Sequence, residues 1–148
     1  MGCAESKKDK KKEDSSNFSA NHQFEMYAAI LSNKASGVKE LLEKGFNPNY
    51  LMPNFAKRSA LHAAAEFGSV EIIQILLTHG ADPNVKDTYG ITPAYLAASR
   101  NHFDSVLVLV DSGALLNIRT SMETNFSDYI QEKNSAEYKA LRKKISIT

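Results

Sequence analysis

The chain of 148 residues has a single cysteine, no tryptophan and nearly balanced charge, with 18 lysines and arginines against 17 aspartates and glutamates. One cysteine excludes an internal disulfide framework and a metal site built from several cysteines. The balanced charge argues against a dedicated nucleic-acid-binding protein, which would have a strongly basic face. The sequence has no apolar run long enough to cross a bilayer as a helix, and no signal-peptide core follows its start. We therefore expect one domain with a tail, located in the cytosol.

Signatures of catalysis are also lacking. No two of the four histidines have the helical i, i+4 spacing of a paired metal site. No glycine-rich phosphate loop follows a predicted strand, and Cys3 lies in a polar segment where no ordered base is expected to activate it. These observations predict no enzyme activity, no catalytic residue, no metal site and no cofactor.

What the sequence does contain is a repeat with a period of 33 residues within 57–120. At this offset Ser59 aligns with Thr92, the alanines at 64–65 with those at 97–98, and Gly80 with Gly113. This period is typical of a β-turn followed by two antiparallel helices. The pattern resembles the ankyrin repeat, whose T-P-L-H-x-A opening stands as Thr92-Pro93 in one copy and as Leu-His-Ala-Ala at 61–64 in the other.

Residues that begin and end helices recur in phase with the repeat. The hydroxyls of Ser59 and Thr92 can accept hydrogen bonds from the first turn of a helix, and Pro93 stands where its missing N–H has no effect. Gly80 and Gly113 provide the left-handed residue that ends a helix.

The spacing predicts short first helices over 61–67 and 94–100 and a second helix over 70–78. The second helix is apolar nearly all round, so it must be buried on several sides. Since one such unit cannot bury its own face, it needs stacked neighbours.

The flanking sequence provides two irregular copies. Upstream, 47–49 (Asn-Pro-Asn) matches 82–84 (Asp-Pro-Asn), but the connecting finger 50–58 is two residues longer than the period requires. Downstream, Asn125 lies 33 residues beyond Thr92. The resemblance therefore implies an all-α ankyrin-repeat solenoid of about four helix-turn-helix repeats with short β-turn fingers. The predicted domains are a tail (1–22) and a repeat domain (23–148), with repeats at about 23–53, 54–86, 87–119 and 120–148.

The N-terminal segment contains a lipidation pattern. Its first residues match M-G-x-x-x-[ST], which predicts N-myristoylation of Gly2, and Cys3 beside it resembles an S-palmitoylation site. One myristoyl chain binds membranes only marginally, so a second chain or a basic patch is needed. The basic residues here are Lys7, Lys8, Lys10, Lys11 and Lys12, each worth about 1 kcal/mol near anionic lipid.

The alternative is an ordinary polar leader whose lysines are only solvated. With few apolar side chains, residues 1–22 are predicted to be disordered in either case. Phosphorylation of Ser15 and Ser16, which follow two acidic residues, would weaken attraction to lipid.

The resemblance further implies a concave binding face made of finger tips and the exposed sides of the first helices. Carried over by position, the predicted partner-binding residues are Tyr50, Phe55, Phe67, Tyr89, Arg100 and Met122. Three alternatives are open: 50–55 folds back over the irregular first repeat, Phe67 packs on the next finger, or Arg100 pairs with Asp104 or Glu66. The resemblance also implies that His62 ties adjacent repeats together.

Three functions fit these features. The first is a membrane-tethered adaptor or scaffold at the cytoplasmic face of a membrane, most simply the plasma membrane, that binds a protein partner through the concave face. The others are a soluble cytoplasmic ankyrin-type inhibitor of one target protein, and a regulatory subunit of a membrane enzyme or channel. A monomer that does not bind nucleic acid is expected in each case.

Overall fold

A computed structural model describes residues 20–133 and 135–146 of the chain. This part contains eight α-helices and no β-strand. The helices are α1 (Ala20–Leu31), α2 (Ala35–Glu43), α3 (Ala60–Phe67), α4 (Val70–Thr78), α5 (Pro93–Ser99), α6 (Phe103–Asp111), α7 (Phe126–Glu132) and α8 (Ala136–Ile145). The first helix begins at Ala20, three residues before the predicted start of the domain at 23. The lipidation pattern and the lysines lie outside the described residues, so the predicted tail and domain boundaries stay predictions.

The helices form four antiparallel pairs that stack in two layers. The first helices, α1, α3, α5 and α7, pack on one another in chain order. The second helices, α2, α4, α6 and α8, form the other layer in the same way. Each helix therefore contacts its hairpin partner and the equivalent helices of the neighbouring pairs, which is the geometry of a solenoid. The predicted all-α solenoid of about four helical pairs is confirmed.

Local chemistry at the helix ends agrees with the sequence prediction. The Thr92 hydroxyl accepts a hydrogen bond from the Tyr95 N–H at 3.4 Å, and Pro93 is the first residue of α5. Gly80 and Gly113 have φ values of 89° and 93°, in the left-handed region. The second helix α4 has the predicted bounds, while α3 and α5 each begin one residue earlier than predicted.

The core follows the two layers of helices. Ala64, Ala65, Ala97 and Ala98 have no exposed surface, and their small side chains allow α3 and α5 to approach closely. In the second layer, Ile72, Ile73 and Leu76 of α4 are likewise fully buried. Burial of a branched side chain stabilises the fold by about 1.5–3 kcal/mol, so these three residues make α4 a strongly stabilised part of the second layer.

Two asparagine side chains link one repeat to the next outside the helices. The Asn49 amide nitrogen donates to the Gly80 carbonyl at 2.9 Å, and its oxygen accepts from the Asp82 N–H at 2.7 Å. One repeat further on, Asn84 donates to the Gly113 carbonyl at 3.0 Å and accepts from the Leu115 N–H at 2.7 Å. Each amide thus satisfies one acceptor and one donor at the end of the following second helix, where backbone groups lack helical partners.

The last repeat is fixed by two long side chains. The buried Tyr138 hydroxyl donates to the Ala98 carbonyl at 2.6 Å, and its burial raises the pKa of Tyr138 above the usual range. Arg142 of α8 donates through Nη1 to the Ile130 carbonyl of α7 at 2.7 Å and to the Gln131 carbonyl at 3.1 Å. A guanidinium at this place completes the hydrogen bonds of the α7 C-terminus.

Candidate protein-binding face

We use the term finger face for the surface made by three loops and the exposed sides of the first helices beside them. The loops are finger 1 (50–58), finger 2 (84–91) and finger 3 (117–125). Hydrogen bonds to backbone carbonyls join each finger to the next. The Thr88 N–H and hydroxyl both donate to the Ala56 carbonyl at 2.8 Å, and the Ser121 N–H donates to the Tyr89 carbonyl at 2.8 Å. The fingers therefore form one continuous row.

Finger 2 takes its shape from a buried carboxylate. Asp87 is only 6% exposed, and its Oδ1 accepts hydrogen bonds from the Tyr89 N–H at 2.8 Å and the Ile91 N–H at 2.9 Å. Its second oxygen accepts from Arg58 Nε of finger 1 at 3.3 Å. The sequence analysis did not single out Asp87. The sequence feature that could have identified it is an aspartate three residues before Gly90, because aspartate and glycine commonly form tight turns.

Glu66 joins arginine side chains from two successive repeats. Its carboxylate accepts from Arg58 Nη1 at 2.8 Å and from Arg100 Nη2 at 2.6 Å. The Glu66 side chain is 17% exposed, whereas that of Arg100 is 58% exposed. The alternative in which Arg100 pairs with Glu66 is therefore the one observed. Because exposed pairs contribute only about 0–1 kcal/mol, this arrangement orients Arg100 more than it stabilises the fold.

His62 links two repeats beneath the finger face, as the resemblance implied. The ring is fully buried. Its Nδ1 accepts from the Ser59 N–H at 3.1 Å, which assigns the proton to Nε2, and Nε2 donates to the Ile91 carbonyl at 2.9 Å. Burial lowers the pKa of His62 below its usual value, so the ring is neutral near pH 7 and acts as a structural group.

In the next repeat a ring contact occupies the position of this histidine. Tyr95 contacts Tyr129 of α7 with ring centroids 4.9 Å apart, and the Lys133 ammonium lies 5.1 Å from the Tyr129 centroid. The contact between repeats is thus kept by packing instead of a hydrogen bond.

An apolar patch stands at the N-terminal end of the finger face. Phe24 of α1 is 73% exposed and Phe55 of finger 1 is 49% exposed. Tyr27, also of α1, is stacked on Phe55 with ring centroids 5.1 Å apart and planes 19° apart. Sequence reasoning missed Phe24 and Tyr27, although two aromatic residues three apart on one helix share a face.

Two other residues of finger 1, one of them the predicted Tyr50, pack inward. Met52 is only 6% exposed, and Tyr50 is partly buried with its ring edge-on to Phe46 at 6.2 Å. The folding-back alternative therefore holds for Met52 and Tyr50, whereas Phe55 stays at the surface. The structure places Phe67, Tyr89 and Met122 at the surface with 46%, 56% and 69% exposure. A binding role for these residues stays a prediction.

The described part of the chain holds no group of three or more histidine, cysteine, aspartate or glutamate residues placed to bind a metal ion. Within the same residues, no helix is both long and apolar enough to span a bilayer.

Linked fingers beside stacked short helices, with large side chains exposed along one face, define a protein-interaction module of the repeat class. A family model described as ankyrin repeats (3 copies) matches residues 26–120, more than half of the chain. The chain belongs to the ankyrin-repeat family, whose members are protein-binding modules.

Among the relatives, the cyclin-dependent kinase inhibitor 2A of Monodelphis domestica is 40% identical over 85 residues, which is 57% of this chain and 48% of that protein. The ARF GTPase-activating protein Git of Drosophila melanogaster is 35% identical over 78 residues, 53% of this chain and 10% of that protein. The E3 ubiquitin-protein ligase HACE1 of Xenopus tropicalis is 45% identical over 65 residues, 43% of this chain and 7% of that protein. The match thus spans about half of the first relative and a tenth or less of the other two.

Proposed function

We propose that this protein is a membrane-tethered adaptor that binds a protein partner through its finger face. The observation that carries the proposal is the row of linked fingers on which Tyr89, Met122 and Arg100 remain exposed. Aromatic residues and arginine are the types that most often dominate binding energy at interfaces, because they bury a large area at modest loss of entropy. The proposal includes a monomeric solenoid and no catalytic step.

The membrane part of the proposal rests on the sequence. Gly2, Cys3 and five lysines occur within the first twelve residues, and two acyl chains, or one chain with a basic patch, give stable membrane binding. A flexible segment of the length that precedes α1 would place the repeats roughly 25 Å from the anchor. Such a tether would present the finger face to partners on the cytosolic leaflet of the plasma membrane.

Cell fractionation with a myristate analogue tests the tether. Wild-type protein should be labelled and found with membranes, whereas Gly2→Ala should lose both the label and the membrane, and Cys3→Ser should become largely soluble. Glu5→Gln changes a position that the acylation pattern leaves free, so it serves as the matched control. Unlabelled, cytosolic wild-type protein would refute the tether.

A photo-crosslinking amino acid at chosen positions tests the binding face in the same cells. Placed at Tyr89, it should form a discrete crosslinked species with another protein. Placed at Leu115, which is 55% exposed in the loop after α6, it should not. Equal crosslinking at both positions would contradict a partner site on the finger face.

A soluble inhibitor is the second candidate, favoured by the 40% identity to the kinase inhibitor named above. This function needs the same finger face but no acylation. Cytosolic, unlabelled wild-type protein that still crosslinks through Tyr89 would support the inhibitor over the tethered adaptor. A regulatory subunit of a membrane enzyme or channel would instead crosslink from the membrane fraction to an integral membrane protein.

A further inference from the structure

We propose that the finger face recognises a linear segment of its partner that carries one aromatic or aliphatic anchor and, about five to six residues away, a carboxylate. This inference rests on the protein-binding part of the proposed function and is independent of the membrane tether. It is drawn from an apolar patch at α1 and a cationic patch on the same surface, whose exposed Arg100 lies two repeats from the apolar patch.

The apolar patch has the form of a receptor for a side chain. A shallow cleft lies between α1 and finger 1, lined by Phe24, Tyr27, Met52 and Phe55. Packing holds two of the lining side chains in place, because Met52 is buried and Tyr27 is stacked on Phe55. Phe24, which also lines the cleft, is 73% exposed. Exposed apolar surface next to a preformed cleft is a common mark of a partner site, and here it fits one aromatic or aliphatic side chain.

The cationic patch begins directly beside this cleft and ends at Arg100. A second cleft shares Tyr27 and Phe55 with the first and is also lined by Arg58 and Glu66. Both Glu66 oxygens accept from arginines, and both Asp87 oxygens accept hydrogen bonds within the fingers. Neither carboxylate therefore offers a site for a cation of the partner.

Positive charge is in excess on this part of the finger face. On fingers 1 and 2, on α3 and at the end of α5, the charged residues are Lys57, Arg58, Lys86 and Arg100 against Glu66 and Asp87. Within the described residues, Arg100 uses only Nη2 of its side-chain nitrogens in a hydrogen bond. Since a guanidinium has five donors suited to a carboxylate, Arg100 can bind an acidic side chain without releasing Glu66.

The separation between the apolar cleft and Arg100 gives the spacing of the motif. The apolar cleft lies at α1, and Arg100 follows α5, which is two helices further along the first layer. Packed helices are about 8–10 Å apart, so the apolar cleft and Arg100 are roughly 16–20 Å apart. An extended chain advances about 3.3 Å per residue, which corresponds to about five to six residues.

Selection from a random library of 12-residue peptides displayed on phage tests this inference on the full-length protein. The enriched peptides should share an aromatic or aliphatic residue and an aspartate or glutamate four to seven positions away, in either direction. Synthetic versions of one enriched peptide are then titrated against the variants. Phe24→Ser and Arg100→Gln should each weaken binding about tenfold, as should replacement of the peptide acid by lysine.

Two surface variants away from both patches are the controls, Leu115→Ser and Lys39→Gln of α2, and they should bind the peptide like wild type. Circular dichroism melts of all variants show whether the fold is retained. Enriched peptides without an acidic residue, or peptides insensitive to Arg100→Gln, would overturn the charge part while leaving a protein-binding finger face intact. Failure to enrich any peptide would overturn recognition of a linear segment, while crosslinking from Tyr89 would still report on the proposed function itself.

Discussion

His62 gives a sharp test of the structure because one buried ring joins two repeats and is sensitive to pH. The ring has no exposed surface and is held by the Ser59 N–H and the Ile91 carbonyl. In His62→Gln these two backbone groups lose well-aligned partners inside the protein. A buried polar group without a partner destabilises a fold by about 1–3 kcal/mol, so we expect a loss of that size at pH 7.5.

The dependence on pH follows from the lowered pKa of His62, for which burial is the main cause. In the unfolded chain the ring takes up a proton below about pH 6.5, whereas the folded protein resists protonation until its lower pKa is reached. The unfolded state therefore binds more protons between these two values. The stabilisation is complete above pH 6.5 and is lost as the pH falls toward the folded pKa, with a slope of up to about 1.4 kcal/mol per pH unit.

Urea unfolding followed by far-ultraviolet circular dichroism measures both effects, since the chain contains no tryptophan for fluorescence. Between pH 7.5 and 5.5 the wild type should lose up to about 1.4 kcal/mol more than His62→Gln does. His79→Gln removes an exposed histidine whose ring bonds the Ile75 carbonyl, and because it leaves His62 in place it should keep the wild-type slope. Equal pH dependence in wild type and His62→Gln would refute the buried, neutral ring.

Other positions test packing, backbone conformation and the links between repeats. Leu76→Ala removes a fully buried side chain from α4 and should destabilise by about 2–5 kcal/mol; an unchanged urea midpoint would contradict the register of that helix. A Cβ at Gly68 would lie 2.5 Å from the His102 ring at a φ of 69°, whereas one at Gly113 meets no atom within 4 Å, so Gly68→Ala should unfold at clearly lower urea than Gly113→Ala. If the two glycine variants unfold together, the close approach of His102 is wrong. Asn84→Ala removes two hydrogen bonds to the next repeat and should destabilise by about 1–2 kcal/mol, and hydrogen exchange should increase first around 113–115; unchanged protection there would argue against the link.

The sequence allowed prediction of the regular parts of the fold because their causes are local. The Thr92 cap, Pro93 at the start of α5 and the left-handed Gly80 each depend on a few neighbouring residues. Tyr138 shows the limit of this approach, since its hydroxyl reaches the Ala98 carbonyl forty residues earlier. No period in the sequence indicates such a contact, which forms only when the last pair of helices has stacked.

The candidate site was less predictable for the same reason. The exposure of Tyr89 follows from its place in a finger, and the sequence analysis proposed it on that basis. The path of finger 1 depends on two inserted residues and on Tyr27 of α1, which receives Phe55. The role of Asp87 depends on Arg58, which comes from the preceding finger. These contacts lie between repeats, where the sequence of one repeat carries little information about the next.

The asparagine links between repeats have a consequence for the chemical ageing of the protein. Asn49 and Asn84 each act as donor and acceptor at once, with the nitrogen directed at a carbonyl oxygen. Spontaneous deamidation would replace that nitrogen by a negatively charged oxygen facing the same carbonyl, so an attraction would become a repulsion. This change of one mass unit would weaken the hydrogen-bonded contact between two repeats without altering any helix. Deamidation in an old sample would therefore weaken the contacts between repeats before any helix unfolds.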